Sequence, residues 1–261
     1  FRVLTRLQMP DNIGGMQLTS ATLAAFVKYP VESVCVGSKD IPFSKKFNFF
    51  QSEKEYFSEI AENTGLIRHG EAFAWTRHPL AFLVEAADDI CYTIIDFEDG
   101  HSIGIISYAE LEDSFVSIIG DNSVRNRAAE MSDNQRKVEF LRALCLGILV
   151  EQLSKAFIEN EVKMRSGDLH QSLTDIIPAA AALNQIKERS SSDVYTYRPS
   201  VEIEVAGFEL TSGLLDAFVG ALDDSLNSEK ASPRSKKLLR LLPKQFQKEG
   251  DDPYQRLLGI L

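Results

Sequence analysis

Apolar residues along most of this chain recur at three- and four-residue spacing, the repeat that gives an α-helix one buried face. Leu18 to Tyr29 predicts a helix that begins near Thr19 or Ser20 and is stopped by Pro30. Ser52 followed by Glu55 has the form of a capping box for a helix reaching about Asn63. Pro79 suits a first helical turn, and an unbroken pattern runs from it to Asp99, with Gly100 as the expected stop. From Asn134 to Met164 a long helix is predicted, with Val138, Leu141, Leu144, Cys145, Ile148 and Leu149 on its apolar side and Gly167 beyond its end. A further helix spans Leu173 to Glu188, followed by the polar break ERSSSD.

The period changes once. Val201, Ile203 and Val205 alternate, which predicts a short strand and a hairpin through Gly207. A helix from Gly213 to Leu226, a charged linker (NSEKASPRSKK) and a last helical stretch ending at Leu261 complete the chain. The expected fold class is mostly α, with one minor β-hairpin in the C-terminal part. No internal repeat is present, and Gly14-Gly15 reads as a turn, because it lacks the GxxxxGK[ST] pattern of a phosphate loop.

Composition adds limits. At 261 residues, with 44% hydrophobic and 25% charged residues and a mean hydropathy of -0.12, the chain has an ordinary globular make-up. A net charge of -10 argues against duplex DNA as a main partner, since phosphate neutralisation needs clustered Lys and Arg. No apolar run is expected to cross a bilayer, so no membrane partner is predicted. Cys35, Cys91 and Cys145 lack zinc spacing, and Cys91 and Cys145 read as buried free thiols in a reducing, cytoplasmic setting. The chain opens at Phe1 in FRVLTRL and stops in YQRLLGIL, so a piece of a longer protein is expected.

The richest segment is HPLAFLVEAADDICYTIIDFEDG, residues 78–100. From Pro79 to Gly100 it carries six carboxylates and no Lys or Arg. On a helix, Leu83, Val84, Ala87, Ile90, Cys91, Ile94 and Ile95 share a broad apolar arc, and Glu85, Asp88, Tyr92, Asp96 and Asp99 fall on the other side. Like charges at this spacing repel, and acids near a helix C-terminus oppose its dipole. A stripe against both preferences points to a bound cation or a basic neighbour; the plainer reading is a solvated acidic face. Tyr92, one turn after Asp88, can pack its ring against a sugar or base, or can simply edge the core.

That segment, RHPLAFLVEAADDICYTIIDFEDG, resembles the region of bacterial dGTPases and related dNTP triphosphohydrolases of the HD superfamily that carries the last metal ligand. FRVLTRL, LTSATLAAFVKYP, KKFNFFQSEKEYF, AGFELTSGLLDAFVGAL, KLLRLLP and YQRLLGIL are similar to the same family in the same order, so the resemblance spans nearly the whole chain. It implies a helical HD bundle that binds a divalent metal through an H…HD…D set and cleaves a dNTP, dGTP in first place, to deoxynucleoside and tripolyphosphate. Asp88 matches the final Asp of the set. Tyr92 and Asp96 match positions that hold the deoxyribose, the ring near C2′ and the carboxylate accepting from the 3′-OH.

Lys28 and Lys46 lie in family-like strings and are candidates for the triphosphate, beside the plainer readings of a helix-end and a loop lysine. Arg136, six residues before Arg142, is a further candidate, because a guanidinium fork binds phosphate oxygens in pairs and the vertebrate SAM-and-HD dNTPase has arginines at a similar spacing. His78 reads as a cap and Trp75 and Phe73 as core. The resemblance divides the chain into residues 1–168, part of the HD-type catalytic domain, and residues 169–261, a C-terminal helical region with the short β element. It places the first His, the His-Asp pair and a catalytic His-Glu region upstream of FRVLTRL; the four histidines here form no HD dipeptide. Mg2+ or Mn2+ is the expected metal, with Fe, Co or Zn also compatible. Partners expected by analogy are a dNTP and further copies in a tetramer or hexamer, with single-stranded DNA as a regulator. A catalytically silent dNTP- or single-stranded-DNA-binding relative is the alternative, and another HD phosphohydrolase fits the Asp88–Tyr92–Asp96 spacing less well.

Overall fold

Regular structure in the computed structural model, which describes residues 1–228, 230–243 and 253–260, is almost all helical; β pairing among them is limited to isolated bridges such as Val31 with Ala74 and Glu32 with Phe49. The chain separates into two units, Phe1–Tyr195 and Thr196–Leu261.

In the first unit, α1 (Ser20–Phe26) is capped by Thr19, whose hydroxyl accepts from the Thr22 N–H at 3.2 Å. α2 (Lys54–Thr64) begins after a short turn at Gln51–Glu53 and ends at Gly65, whose φ of +68° suits glycine. Its start is not the predicted Ser52/Glu55 box. Glu53 instead accepts from Phe50 N–H at 3.0 Å, from the Ser52 hydroxyl at 2.7 Å and from Arg2 Nη1 at 2.6 Å. Phe1, Phe49, Phe57 and Trp75 form a small aromatic core around α1 and α2, with Phe49 stacked on Phe57 at 4.4 Å and Phe73 against its edge.

α3 (Pro79–Ser102) starts as predicted: the His78 ring accepts from Leu80 N–H at 3.2 Å, and Pro79 opens the first turn. It does not stop at Gly100. A Cβ there would lie 2.7 Å from Val194 and 3.0 Å from Ile106, so this glycine serves close packing inside the helix. Gly100→Ala is therefore expected to destabilise the protein by about 1–3 kcal/mol through overpacking, which thermal unfolding would measure; an unchanged Tm would contradict the contact.

α4 (Tyr108–Ile119) and α5 (Val124–Ala129) follow, and α6 (Asn134–Glu159) is capped by Asp133. The long predicted helix breaks at Asn160, and Glu161–Ser166 forms a separate α7. α8 (Leu173–Ile176) and α9 (Ala180–Arg189) replace the single helix predicted there. The cause is Pro178, which holds Ile177 extended at ψ 158°. α3 runs between α4, α6, α8 and α9, and Phe82, Ile94, Phe97, Phe115, Leu141 and Leu149 fill the space among them. Arg142 on α6 reaches both carboxylate oxygens of Glu98 at 2.8 Å and fixes α6 to α3.

The second unit holds α10 (Arg198–Asn227), α11 (Pro233–Leu239) and α12 (Pro253–Ile260). The predicted hairpin is absent: Val201, Ile203, Val205 and Gly207 all lie within α10. A strand would need a partner for its main-chain groups, and no strand exists among the described residues, whereas a helix pairs them internally. PRSKK, read as linker, is α11, opened by a Ser232 cap and Pro233. Leu261, the expected last residue of the final helix, lies outside the described residues. Contrary to the sequence expectation, α10 is long and apolar enough, by length and composition, to cross a membrane. Core helices of globular proteins have the same property, and Glu202, Glu204, Glu209 and Asp216 interrupt its surface.

Candidate functional site

The outer face of α3 and the end of α1 enclose an open groove of about 700 Å³. Asp88, Tyr92 and Asp96 lie along it at helical spacing, and Lys28 and Phe26 form the opposite rim. Its remaining wall is apolar and includes Val84, Cys91 and Ile95. This corrects the reading of α3 in two ways. Val84, Cys91 and Ile95 are exposed groove wall instead of core, so the predicted apolar arc is divided between the interior and the groove. Glu85 is buried, which sets aside the solvated-face alternative for that member of the acidic stripe. Of the other thiols, Cys35 is half-buried, and Cys145 is buried as expected, with a pKa pushed up to about 12 by burial.

Asp88 is exposed in the groove and makes no hydrogen bond or ion pair among the described residues. Asp96 is held differently. The Tyr195 hydroxyl donates to Asp96 Oδ2 at 2.5 Å, leaving Oδ1 for another donor. Burial, then the Asp96 hydrogen bond, push the Tyr195 phenol up to about 12, so it stays a donor through the physiological range.

Lys28 is held by two groups the sequence reading did not connect with it. Its ammonium lies 3.3 Å from Glu85 Oε1, and its carbonyl accepts from Arg77 Nε at 2.7 Å. Arg77 donates to Glu85 Oε2 at 2.6 Å and lies with its guanidinium 3.6 Å from the centre of the Phe43 ring. Desolvation lowers the Arg77 pKa, and the Glu85 charge opposes that shift.

Lys46 is exposed in the 31–50 loop, and Arg136 is exposed in the first turn of α6; neither lines the groove. Lys28, Asp88, Tyr92 and Asp96 are thus brought together, and Lys46 and Arg136 are not. Among the described residues no three His, Cys, Asp or Glu side chains cluster as metal donors. Asp88 by itself does not make a divalent-metal site. His69 and His78, both with pKa lowered chiefly by burial, lie outside the groove. Tyr195 and Arg77 escaped the sequence reading; the run RH at 77–78 before the helix-start proline was the one signal pointing toward Arg77.

A largely helical protein with one groove that joins carboxylates, a tyrosine and a lysine suits a small polar ligand carrying both hydroxyls and negative charge. No family model matches the chain. A deoxyguanosinetriphosphate triphosphohydrolase-like protein of Synechocystis sp. is 37% identical over 268 residues, covering 100% of this chain and 59% of the relative. Proteins of the same description from Pseudomonas aeruginosa and Listeria monocytogenes are 30% and 31% identical, over 93% and 94% of this chain and 55% and 54% of their own lengths. The chain is thus homologous over most of its length to proteins described as deoxyguanosinetriphosphate triphosphohydrolase-like, and it spans 54–59% of the length of these relatives.

Proposed function

We propose that the protein containing this chain hydrolyses dNTPs, dGTP first among them, to deoxynucleoside and inorganic tripolyphosphate. Asp88, Tyr92 and Asp96 along one groove with the Lys28 ammonium on its rim is the observation that carries the reading. A deoxynucleotide needs such an arrangement, with a hydroxyl acceptor and a ring surface at the sugar and a cation at the phosphates. The reading also draws on a Yersinia enterocolitica deoxyguanosinetriphosphate triphosphohydrolase, 30% identical over 78% of this chain and 43% of its own length.

In this reading the second Asp96 oxygen accepts from the sugar 3′-OH while Tyr195 holds the first. The Tyr92 ring packs on C2′ and leaves no room for a 2′-OH. Lys28 neutralises the triphosphate and so favours charge developing on the departing oxygen. Val84, Cys91 and Ile95 give the sugar a low-water wall. Asp88 would be one ligand of a divalent metal, Mg2+ or Mn2+, in an HD-type bundle, and such a metal would supply Lewis-acid chemistry at the α-phosphate. Single-stranded DNA as regulator, a tetramer or hexamer and a cytoplasmic location belong to the same proposal.

Incubating full-length protein with Mn2+ and each dNTP, with GTP as control, and separating the products tests it. Deoxynucleoside with intact tripolyphosphate is expected; monophosphate with pyrophosphate, or no product, would refute it. Tyr92→Ala is expected to narrow the preference for dGTP over GTP by about tenfold, since close packing against a hydroxyl-sized difference is worth roughly 1–3 kcal/mol. An unchanged ratio of kcat/KM values would remove the sugar-gate role.

A further inference from the structure

Arg77 and Glu85 form an ion pair whose side chains are only 2% and 6% exposed. A buried ion pair is a poor source of stability, because desolvating two charges offsets their attraction, so stability alone does not account for it. Its surroundings indicate another use. Glu85 Oε1 lies 3.3 Å from Lys28 Nζ and 3.4 Å from Arg77 Nη2, so one oxygen faces both cations. The same guanidinium holds the Lys28 main chain through the 2.7 Å bond from Nε. Phe43 and Phe82 lie against the guanidinium and keep it from turning away.

The charges explain why three groups are needed. Glu85 and Lys28 alone would make a neutral pair, with little left to attract an anion. With Arg77 neutralising Glu85, the three carry one net positive charge. Of the three, Lys28 alone opens substantially to solvent, at 32% exposure, and it lies on the groove rim. An ammonium has three protons, so one directed at Glu85 leaves two for phosphate oxygens.

We propose that Arg77 and Glu85 are positioning residues that hold the Lys28 ammonium, still charged, where a triphosphate enters the groove. The proposal rests on the reading of Lys28 as a phosphate contact. Arg77 is suited to the task because its planar fork serves Glu85 and the Lys28 carbonyl at once, which a lysine could not do.

The test measures binding of inorganic tripolyphosphate to the full-length protein by calorimetry. The variants are Lys28→Ala, the paired replacement Arg77→Met with Glu85→Leu, and all three together. Removing the pair as a unit leaves no unpartnered buried charge, and circular dichroism checks the fold. Should the paired variant fail to fold, Glu85→Gln with and without Lys28→Ala supplies the same comparison. Lys28→Ala and the paired variant are each expected to weaken binding about tenfold, the scale of one charge-assisted hydrogen bond. The combined variant is expected to bind no worse than Lys28→Ala alone, because the pair acts through that lysine.

Losses that multiply in the combined variant would show a merely structural pair and overturn the proposal. So would a paired variant that binds like the wild type while Lys28→Ala does not. Equal binding by wild type and Lys28→Ala would overturn the reading of Lys28 itself, a result distinct from the other two.

Discussion

Asp88→Ala in the full-length protein is expected to lower both Mn2+ affinity and dGTP turnover by on the order of 100-fold or more. Changes to groups that only support a metal ligand already cost about 10–100-fold, and loss of a ligand should cost at least as much. The fold should not respond, because Asp88 is exposed and without a partner among the described residues; a surface change of that kind stays within about 0.5 kcal/mol. Mn2+ titration, tripolyphosphate release and a melting curve on one preparation separate the cases. Full turnover would remove Asp88 from the reaction, and a large fall in Tm would make it a structural residue.

Glu53→Ala is expected to have the largest effect on stability. Its carboxylate is 0% exposed and receives Arg2, Arg6, the Ser52 hydroxyl and the Phe50 N–H. Removing it leaves Arg2, itself only 11% exposed, without its charge partner and uncaps the turn before α2. Breaking a buried pair from one side costs about 3–5 kcal/mol. Denaturant unfolding would measure this, and a change below about 1 kcal/mol would mean that Arg2 finds solvent easily.

How far the site can be read from the residues depends on how local its causes are. α3 is predictable from Pro79 onward because a proline start, a side-chain cap and a three-to-four repeat all act within a turn or two. Its true end is not, because Gly100 answers to Val194, which no local rule connects with it. The same limit applies to α3's apolar face. Periodicity reports that Val84, Cys91 and Ile95 are apolar, but a groove wall and a core wall have the same period. The carboxylate stripe singled out α3 and three residues that line the groove, and of its two readings the solvated face fails at Glu85, whose basic partners, Arg77 and Lys28, lie off the helix. The alternation at 201–205 failed as a strand signal because three residues are too few to outweigh a long helix around them. Lys46 was drawn from similarity of strings and Arg136 from a spacing shared with a distant relative, and their placement away from the groove comes from a loop and a helix start whose paths neither signal encodes.

The bond between Tyr195 and Asp96 has a consequence in time. Lys28, Arg77 and Glu85 have all been synthesised by residue 85, and Asp96 follows within eleven residues (96 − 85). Tyr195 comes 99 residues after Asp96. At about 5–20 residues per second, that interval is roughly 5–20 s of synthesis. During it the Lys28 end of the groove can assemble while the Asp96 carboxylate still lacks its tyrosine. The groove is therefore built from one end, and the pairing that orients Asp96 is among its last contacts to form.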